Sequence, residues 1–242
     1  MHANYYRPGG VSFDLPVGLV EDLYQFVENF PSRINEMCEL LDINRVWRSR
    51  LKNVGILSLE DILNWGCSGV LLRGSGLAWD IRKSQPYETY EQINFDIPIG
   101  ENGDCFDRYL VRVNEMRQSI NIIKQVLDKL PNGPVKVMDN KVAFPVRDEM
   151  KHSMESVIAH FKLFSEGIIV PEGSSYIIIE IPKGEFAIYL VSDGSNKPVR
   201  CHIRAPDFTH LQIVKYISVN SMLIDVVTLI GTLDIVFGSV DR

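Results

Sequence analysis

The chain has 242 residues, 45% of them hydrophobic and 23% charged, with a net charge of −6. That length and apolar content suffice for a sizeable core in one large or two small domains, and they exclude intrinsic disorder. The acidic balance, with no block of like positive charge, excludes a general nucleic-acid-binding role.

At the start of the chain, Arg7-Pro8-Gly9-Gly10 predicts a tight turn, because Pro8 presets φ and the glycines supply positive φ or close backbone approach. The run Met1 to Val11 resembles neither a secretory nor an organelle-targeting leader. So dense a turn motif in first place leads us to expect a chain cut from a longer protein. Leu19, Leu23, Phe26, Phe30, Ile34, Met37 and Leu41 recur at spacings of three and four, which predicts a long helix over 18–42, kinked or split by Pro31. Arg45, Arg48, Arg50 and Lys52 flank a helix end, where they suit the helix dipole, acidic neighbours or an assembly partner. A short helix over 58–65 has Ser58 as its N-cap and Gly66 as its stop.

From Gly66 to Gly103 glycine and proline are frequent and periodicity is lost, as in a segment that is functional or lines an interface. Within it Gly74-Ser75-Gly76 precedes no helix pattern and no Walker-type lysine, so a phosphate cradle is not supported. Tyr109, Val113, Met116, Ile120, Ile123, Leu127 and Leu130 form a near-heptad seam after Asp104, which predicts a helix packed lengthwise on another. A third helix is predicted over 148–166, with Met150, Met154, Val157, Phe161 and Phe164 inward. The texture then turns to β: 175–181, 185–191 and 198–205 read as three strands of a small antiparallel sheet around Pro182-Lys183-Gly184 and Asp193-Gly194. A helical section over 208–231 and the tail Thr232 to Arg242 close the chain. The fold class is therefore mainly α (α+β): a long-helix bundle over 18–166, a small sheet over 174–205, and a terminal helix with its tail over 208–242.

Little in these residues demands catalysis. Cys38, Cys67, Cys105 and Cys201 lie far apart with no Cys-x-x-Cys pair, which argues against a metal site built by this chain and reads as four buried thiols. His152 and His160 are too far apart on one helix to share a metal, and His2, His202 and His210 have no ligand-spaced neighbours, so all read as structural. No Gly-x-Ser-x-Gly elbow occurs. The most apolar stretch, Met222 to Phe237, falls short of the ~18 to 20 residues of a membrane span and carries Asp225 and Asp234.

Seven motifs together carry a family resemblance: Met-His-Ala-x-Tyr-x-Arg-Pro-Gly-Gly-Val (1–11), Leu-Arg-Gly-Ser-Gly-x-x-Trp-Asp-x-Arg-Lys (72–83), Gln-Pro-Tyr (85–87), Gly-Asp-Cys-x-Asp-Arg-Tyr (103–109), Pro-Lys-Gly-Glu-Phe (182–186), Tyr-Leu-Val-Ser-Asp-Gly-Ser (189–195) and Asp-Ile-Val-Phe-Gly-x-Val-Asp-Arg (234–242). The sequence resembles the quinone-pocket subunit of respiratory complex I, NADH:ubiquinone oxidoreductase iron-sulfur protein 2, over that subunit's C-terminal half. The resemblance implies descent from the large subunit of nickel-iron hydrogenases with the metal site lost, the stretch from Asp234 to Phe237 being the remnant of its terminal ligand motif. It implies that Val236 and Phe237 stand in the wall of the ubiquinone cavity, apolar side chains being suited to a quinone ring and its tail. The residues that bind the quinone headgroup in the family, a histidine, a tyrosine and an aspartate, belong to the N-terminal half, so no catalytic residue is assigned here. Cys105 occupies a position sometimes credited to a cluster, but Val111 and Val126 stand where related chains are expected to hold further cysteines, and Cys105 is taken as structural.

The expected function is that of a subunit fragment of a proton-translocating NADH:quinone oxidoreductase, a single half-domain (1–242) completed by a separate N-terminal polypeptide. No cofactor is expected on this chain; NADH, FMN, the 4Fe-4S and 2Fe-2S clusters and ubiquinone belong to the complex. The implied partners are the cluster-bearing and other peripheral-arm subunits and the membrane-arm subunits. The implied place is the matrix side of the mitochondrial inner membrane, the cytoplasmic side of a bacterial plasma membrane being the alternative. A structural or assembly protein descended from that subunit is the rival function.

Overall fold

The structure, a computed structural model, describes residues 5–241, so His2, the rest of Met1 to Asn4, and Arg242 lie outside the described residues. In chain order the elements begin with β1 (Tyr6–Arg7), β2 (Gly10–Val11), α1 (Leu19–Asp42), α2 (Arg45–Leu51), α3 (Leu59–Trp65), α4 (Val70–Gly74) and α5 (Ile81–Ser84). They continue with α6 (Cys105–Asp128), α7 (Glu149–His152), α8 (Met154–Ser165), β3 (Gly173–Ile181), β4 (Gly184–Ser192) and β5 (Arg200–Arg204). Helices α9 (Pro206–Ile217), α10 (Leu223–Leu233) and α11 (Phe237–Asp241) end the series. The fold is mainly helical with two small sheets, β1-β2 and β3-β4-β5. The chain forms two compact units, one of Met1–Asp22, Leu130–Ser175 and Tyr189–His202, the other of Leu23–Lys129, Tyr176–Ile188 and Ile203–Arg242.

In the larger unit α1 and α6 run antiparallel, as the heptad seam of α6 requires of a lengthwise partner. Tyr24 Oη donates to Asp128 Oδ1 (2.9 Å), Arg117 Nη2 to Asn35 Oδ1 (3.3 Å) and Tyr109 Oη to Asp42 Oδ1 (3.4 Å), the numbers rising on one helix as they fall on the other. Helix α1 is not split at Pro31. Pro31 removes the amide that would pair with the Val27 carbonyl, yet the helix continues through it. The buried stripe is centred on Val27 and Ile34, while Phe26 and Met37 of the predicted stripe are exposed. Ser58 caps α3, its Oγ accepting from the Asp61 amide (3.1 Å), and Gly66 ends it in the left-handed conformation. The apolar core draws on the first half of the unit and on its last two long helices: Leu57, Ile62, Leu71, Cys105, Ile213 and Leu229 are all buried in one cluster. The basic run serves acid and ring: Arg50 pairs with Asp225 (3.4 Å), and Lys52 and Arg48 lie over Phe106.

The region 66–103 holds more structure than its composition predicted, for α4 is buried along its whole length and Gly74-Ser75-Gly76 is the end of that helix, not the approach to one. Two further expectations are corrected. The terminal helical section is two helices, α9 and α10, separated by a turn in which Asn220 takes positive φ (63°). The predicted three strands are present, but Cys201 at the start of β5 is exposed and Cys38 half-buried, so only Cys67 and Cys105 are the buried thiols expected.

In the smaller unit the predicted turn forms the β1-β2 hairpin, pairing Tyr6 with Val11 and Arg7 with Gly10. Gly9 has φ 85°, the value that the third position of a type II turn demands. The chain returns beside it, Val137 N donating to the Gly9 carbonyl (2.8 Å) and Val11 N to that of Val135 (3.1 Å). The helix predicted over 148–166 is broken at Ser153, whose Oγ accepts from the Ser156 amide and caps α8. Its apolar stripe faces away from the unit: Met154, Val157, Phe161 and Phe164 are exposed and Ser156 is buried. Periodicity reveals that one face is apolar; it does not reveal what that face meets.

Candidate functional site

The larger unit buries an unusual amount of charge close to the tail that the sequence singled out. Arg73 follows Val70-Leu71-Leu72 on the buried helix α4 and is only 2% exposed. A buried guanidinium needs carboxylates and hydrogen bonds to offset its desolvation. Arg73 has both: Nε donates to Glu115 Oε1 (2.6 Å), Nη1 to Glu180 Oε1 (2.8 Å) and to the Trp79 carbonyl (3.1 Å), with Asp80 at 4.0 Å. Asp80, the N-cap of α5, also grips Arg82 (2.6 Å), which lies over the Phe95 ring. Burial works against the charge of Arg73, yet Glu115 and Glu180 raise its pKa; burial pushes the Glu180 carboxyl up against the pull of Arg73.

Glu180 comes from the end of β3 and Glu115 from the middle of α6, so Arg73 ties three elements together, and all three side chains line a cavity of about 510 Å³. Arg112, Pro182 and Asp234 line the same cavity. Arg112 Nη2 donates to the Thr232 carbonyl (2.5 Å), and burial lowers its pKa while Asp234 and Glu115 act to raise it.

The β3-β4 hairpin tip is set by close packing. Gly69 and Gly184 approach so tightly that a Cβ on Gly69 would stand 2.5 Å from the Lys183 carbonyl oxygen, and both have positive φ. Ser68 Oγ accepts from the Glu185 amide (3.0 Å), and the Glu185 carboxylate accepts from Trp79 Nε1 (2.6 Å) and Arg204 Nη1 (2.8 Å). Lys183 then reaches Asp207 Oδ1 (3.2 Å), a carboxylate in the first turn of α9 and wholly buried.

The tail passes this assembly. Asp234 ends α10 in the left-handed conformation (φ 54°), which redirects the chain. Ile235 packs on the apolar core. The Val236 amide donates to Asp207 Oδ1 (3.4 Å), while the side chains of Val236 and Phe237 are 49% and 61% exposed. The backbone is fixed from beneath and the apolar groups point out. Cys105 is fully buried at the start of α6, with Arg108 Nη1 at 3.8 Å from its sulfur and its pKa raised by burial. Sequence reasoning missed Arg73, Asp80, Glu115, Glu180 and Asp207. Arg73 and Asp80 stand in the motif over 72–83, and Glu180 opens a densely polar run to Glu185 that reads as a hairpin with charges at its tip, but nothing in the sequence pairs them with one another or with Glu115.

Among the described residues no helix is long and apolar enough to cross a membrane. Residues 1–242 match the family described as respiratory-chain NADH dehydrogenase, 49 Kd subunit. The chain is 58% identical over 242 residues to the NADH-ubiquinone oxidoreductase 49 kDa subunit of Reclinomonas americana, covering 100% of this chain and 61% of that one. It is 59% identical over 242 residues to NADH dehydrogenase [ubiquinone] iron-sulfur protein 2 of Nephroselmis olivacea, with 100% and 61% covered. It is 56% identical over 242 residues to the NADH-ubiquinone oxidoreductase 49 kDa subunit of Prototheca wickerhamii, with 100% and 60% covered. The chain thus spans about three fifths of the length of the curated relatives it matches.

Proposed function

The chain belongs to the family of the 49 kDa subunit of respiratory-chain NADH dehydrogenase, and we propose that it serves in a proton-translocating NADH:ubiquinone oxidoreductase as scaffold and as part of the wall of the quinone-reduction cavity. The observation that carries the second role is the tail: Val236 and Phe237 present half-exposed apolar side chains from a backbone held by Asp207. A wall against a quinone ring requires apolar groups whose positions do not drift. In this reading the cavity is completed by the headgroup-binding part of the subunit, which lies outside this sequence. The electrons arrive from clusters on neighbouring peripheral-arm subunits, on the matrix side of the mitochondrial inner membrane. The hydrogenase large-subunit ancestry of the core, with Asp234 at the remnant of its ligand motif, is part of the same reading.

Phe237→Ala tests it. Removing the ring takes away apolar contact of about 1 to 3 kcal/mol, so quinone reductase activity falls or inhibitor affinity shifts in assembled enzyme. NADH oxidation with an artificial acceptor at the flavin end stays normal. Unchanged inhibitor affinity in fully assembled mutant enzyme overturns the wall assignment and favours the rival role of structural or assembly protein, in which the variant lowers only the amount of complex.

A further inference from the structure

We propose that Asp207 is a positioning residue for the quinone-wall tail, and that with Lys183 it forms a buried clamp that fixes where Val236 and Phe237 stand; the inference rests on the wall reading above.

The carboxylate is fully buried in the first turn of α9, where an acidic side chain suits the positive end of the helix. Its hydrogen bonds go to other elements, Oδ1 accepting from Lys183 Nζ on the hairpin tip (3.2 Å) and from the Val236 amide on the tail (3.4 Å). Its second oxygen, Oδ2, is buried with no hydrogen-bond partner, so the group is not placed to satisfy itself. His210, one turn further along α9, does not neutralise it. That imidazole is 2% exposed, neither ring nitrogen makes a hydrogen bond of normal geometry, and burial pushes its pKa down to about 4 against the pull of Asp207 and of the Ser68 backbone, with Arg112 and Lys183 lowering it further. The cationic partner of Asp207 is therefore Lys183, together with the positive end of α9.

Each part of the clamp is held elsewhere. The Gly69–Gly184 contact and the Ser68 hydroxyl on the Glu185 amide fix the hairpin tip that carries Lys183. On the tail, Asp234 takes a conformation that a non-glycine residue adopts only at a cost. The chain around it is secured by Arg112 on Thr232 before that bend and by Asp207 on Val236 after it. Losing the second support frees the segment bearing the wall side chains while leaving the α10 packing intact.

The experiment uses the assembled complex in membranes, with Asp207→Ala, Asp207→Asn, Lys183→Met, Lys183→Arg and Phe237→Ala compared for complex content, artificial-acceptor activity, and kcat and KM for a short-chain ubiquinone. Asp207→Ala and Lys183→Met are expected to raise the quinone KM and weaken a quinone-site inhibitor about three- to tenfold, with kcat per complex little changed. Asp207→Asn, which keeps an acceptor for the Val236 amide, falls between, and Lys183→Arg restores the wild-type KM. Wild-type KM and inhibitor affinity in assembled Asp207 and Lys183 variants overturn the clamp, as does a fall in complex content alone. Should Asp207→Ala fail to assemble, Asp207→Asn and Lys183→Met decide by the same criterion. A shifted Phe237→Ala beside unshifted Asp207 and Lys183 variants removes the clamp alone; an unshifted Phe237→Ala removes the wall reading and the clamp with it.

Discussion

Arg73 holds a buried charge, 2% exposed and shared among Glu115, Glu180 and Asp80. Removing one member of a buried ionic cluster leaves the others uncompensated, which costs about 3 to 5 kcal/mol. Arg73→Met is therefore expected to lower the thermal midpoint or the yield of assembled complex sharply, whereas Arg33→Met, from the exposed pair with Glu36, leaves both unchanged. Equal yields for the two would refute this account of Arg73. His210 gives a pH dependence. Its pKa falls from 6.5 to about 4 on folding, so the unfolded chain takes up a proton that the folded chain refuses. Stability is intact above about 6.5, declines as pH falls from there toward 4, and levels off below, by up to the order of 3 kcal/mol. His210→Gln should flatten that part of the acid-stability curve relative to wild type, read as complex surviving incubation between those pH values.

At the scale of elements, the hairpin tip reaches its place through close backbone contact as well as through the side chains of Ser68 and Lys183. A Cβ on Gly69 would lie 2.5 Å from the Gly184 Cα and 2.5 Å from the Lys183 carbonyl oxygen, both backbone atoms that cannot swing away. Gly69→Ala must displace α4 or the tip, and it also strains a residue at φ 69°. We expect loss of assembled complex at growth temperature, while Gly66→Ala, where no atom lies within 4 Å of the added Cβ, meets no such obstruction. Comparable assembly of the two variants would refute the close-packing account. The α1/α6 pair was legible in advance because a near-heptad seam on a 24-residue helix has to meet a partner of similar length. The break at Ser153 was less so: Ser153 and Glu155 inside an apolar pattern look like polar positions of one helix until the capped start of α8 is seen.

On the scale of the whole molecule, apolar side chains remain uncovered in each unit taken by itself. Leu223, Ile224, Val227 and Ile230 of α10 are exposed in the larger unit, and Met154, Phe161 and Phe164 of α8 in the smaller. Apolar faces of that kind associate in water. Expressed without partners, the chain is expected to aggregate or to run as a heterogeneous species by size-exclusion light scattering. A monodisperse monomer with one cooperative unfolding transition would count against the proposed role as part of a larger assembly.

Alone, the sequence determined the elements whose causes are local: the Pro8-Gly9 turn, the Ser58 and Gly66 helix ends, the seam of α6, the three strands after Gly173, and, through its motifs, the family. Those features depend on residues within a few positions of one another, where propensity and periodicity act. Only the tertiary structure decided which charges are buried and with whom. Arg73 meets Glu115 and Glu180 across 42 and 107 residues of sequence, and Asp207 meets Lys183 and Val236 across 24 and 29. No short-range pattern encodes such partners, because a carboxylate lowers the free energy of a buried cation by being near it in space, whatever its place along the chain.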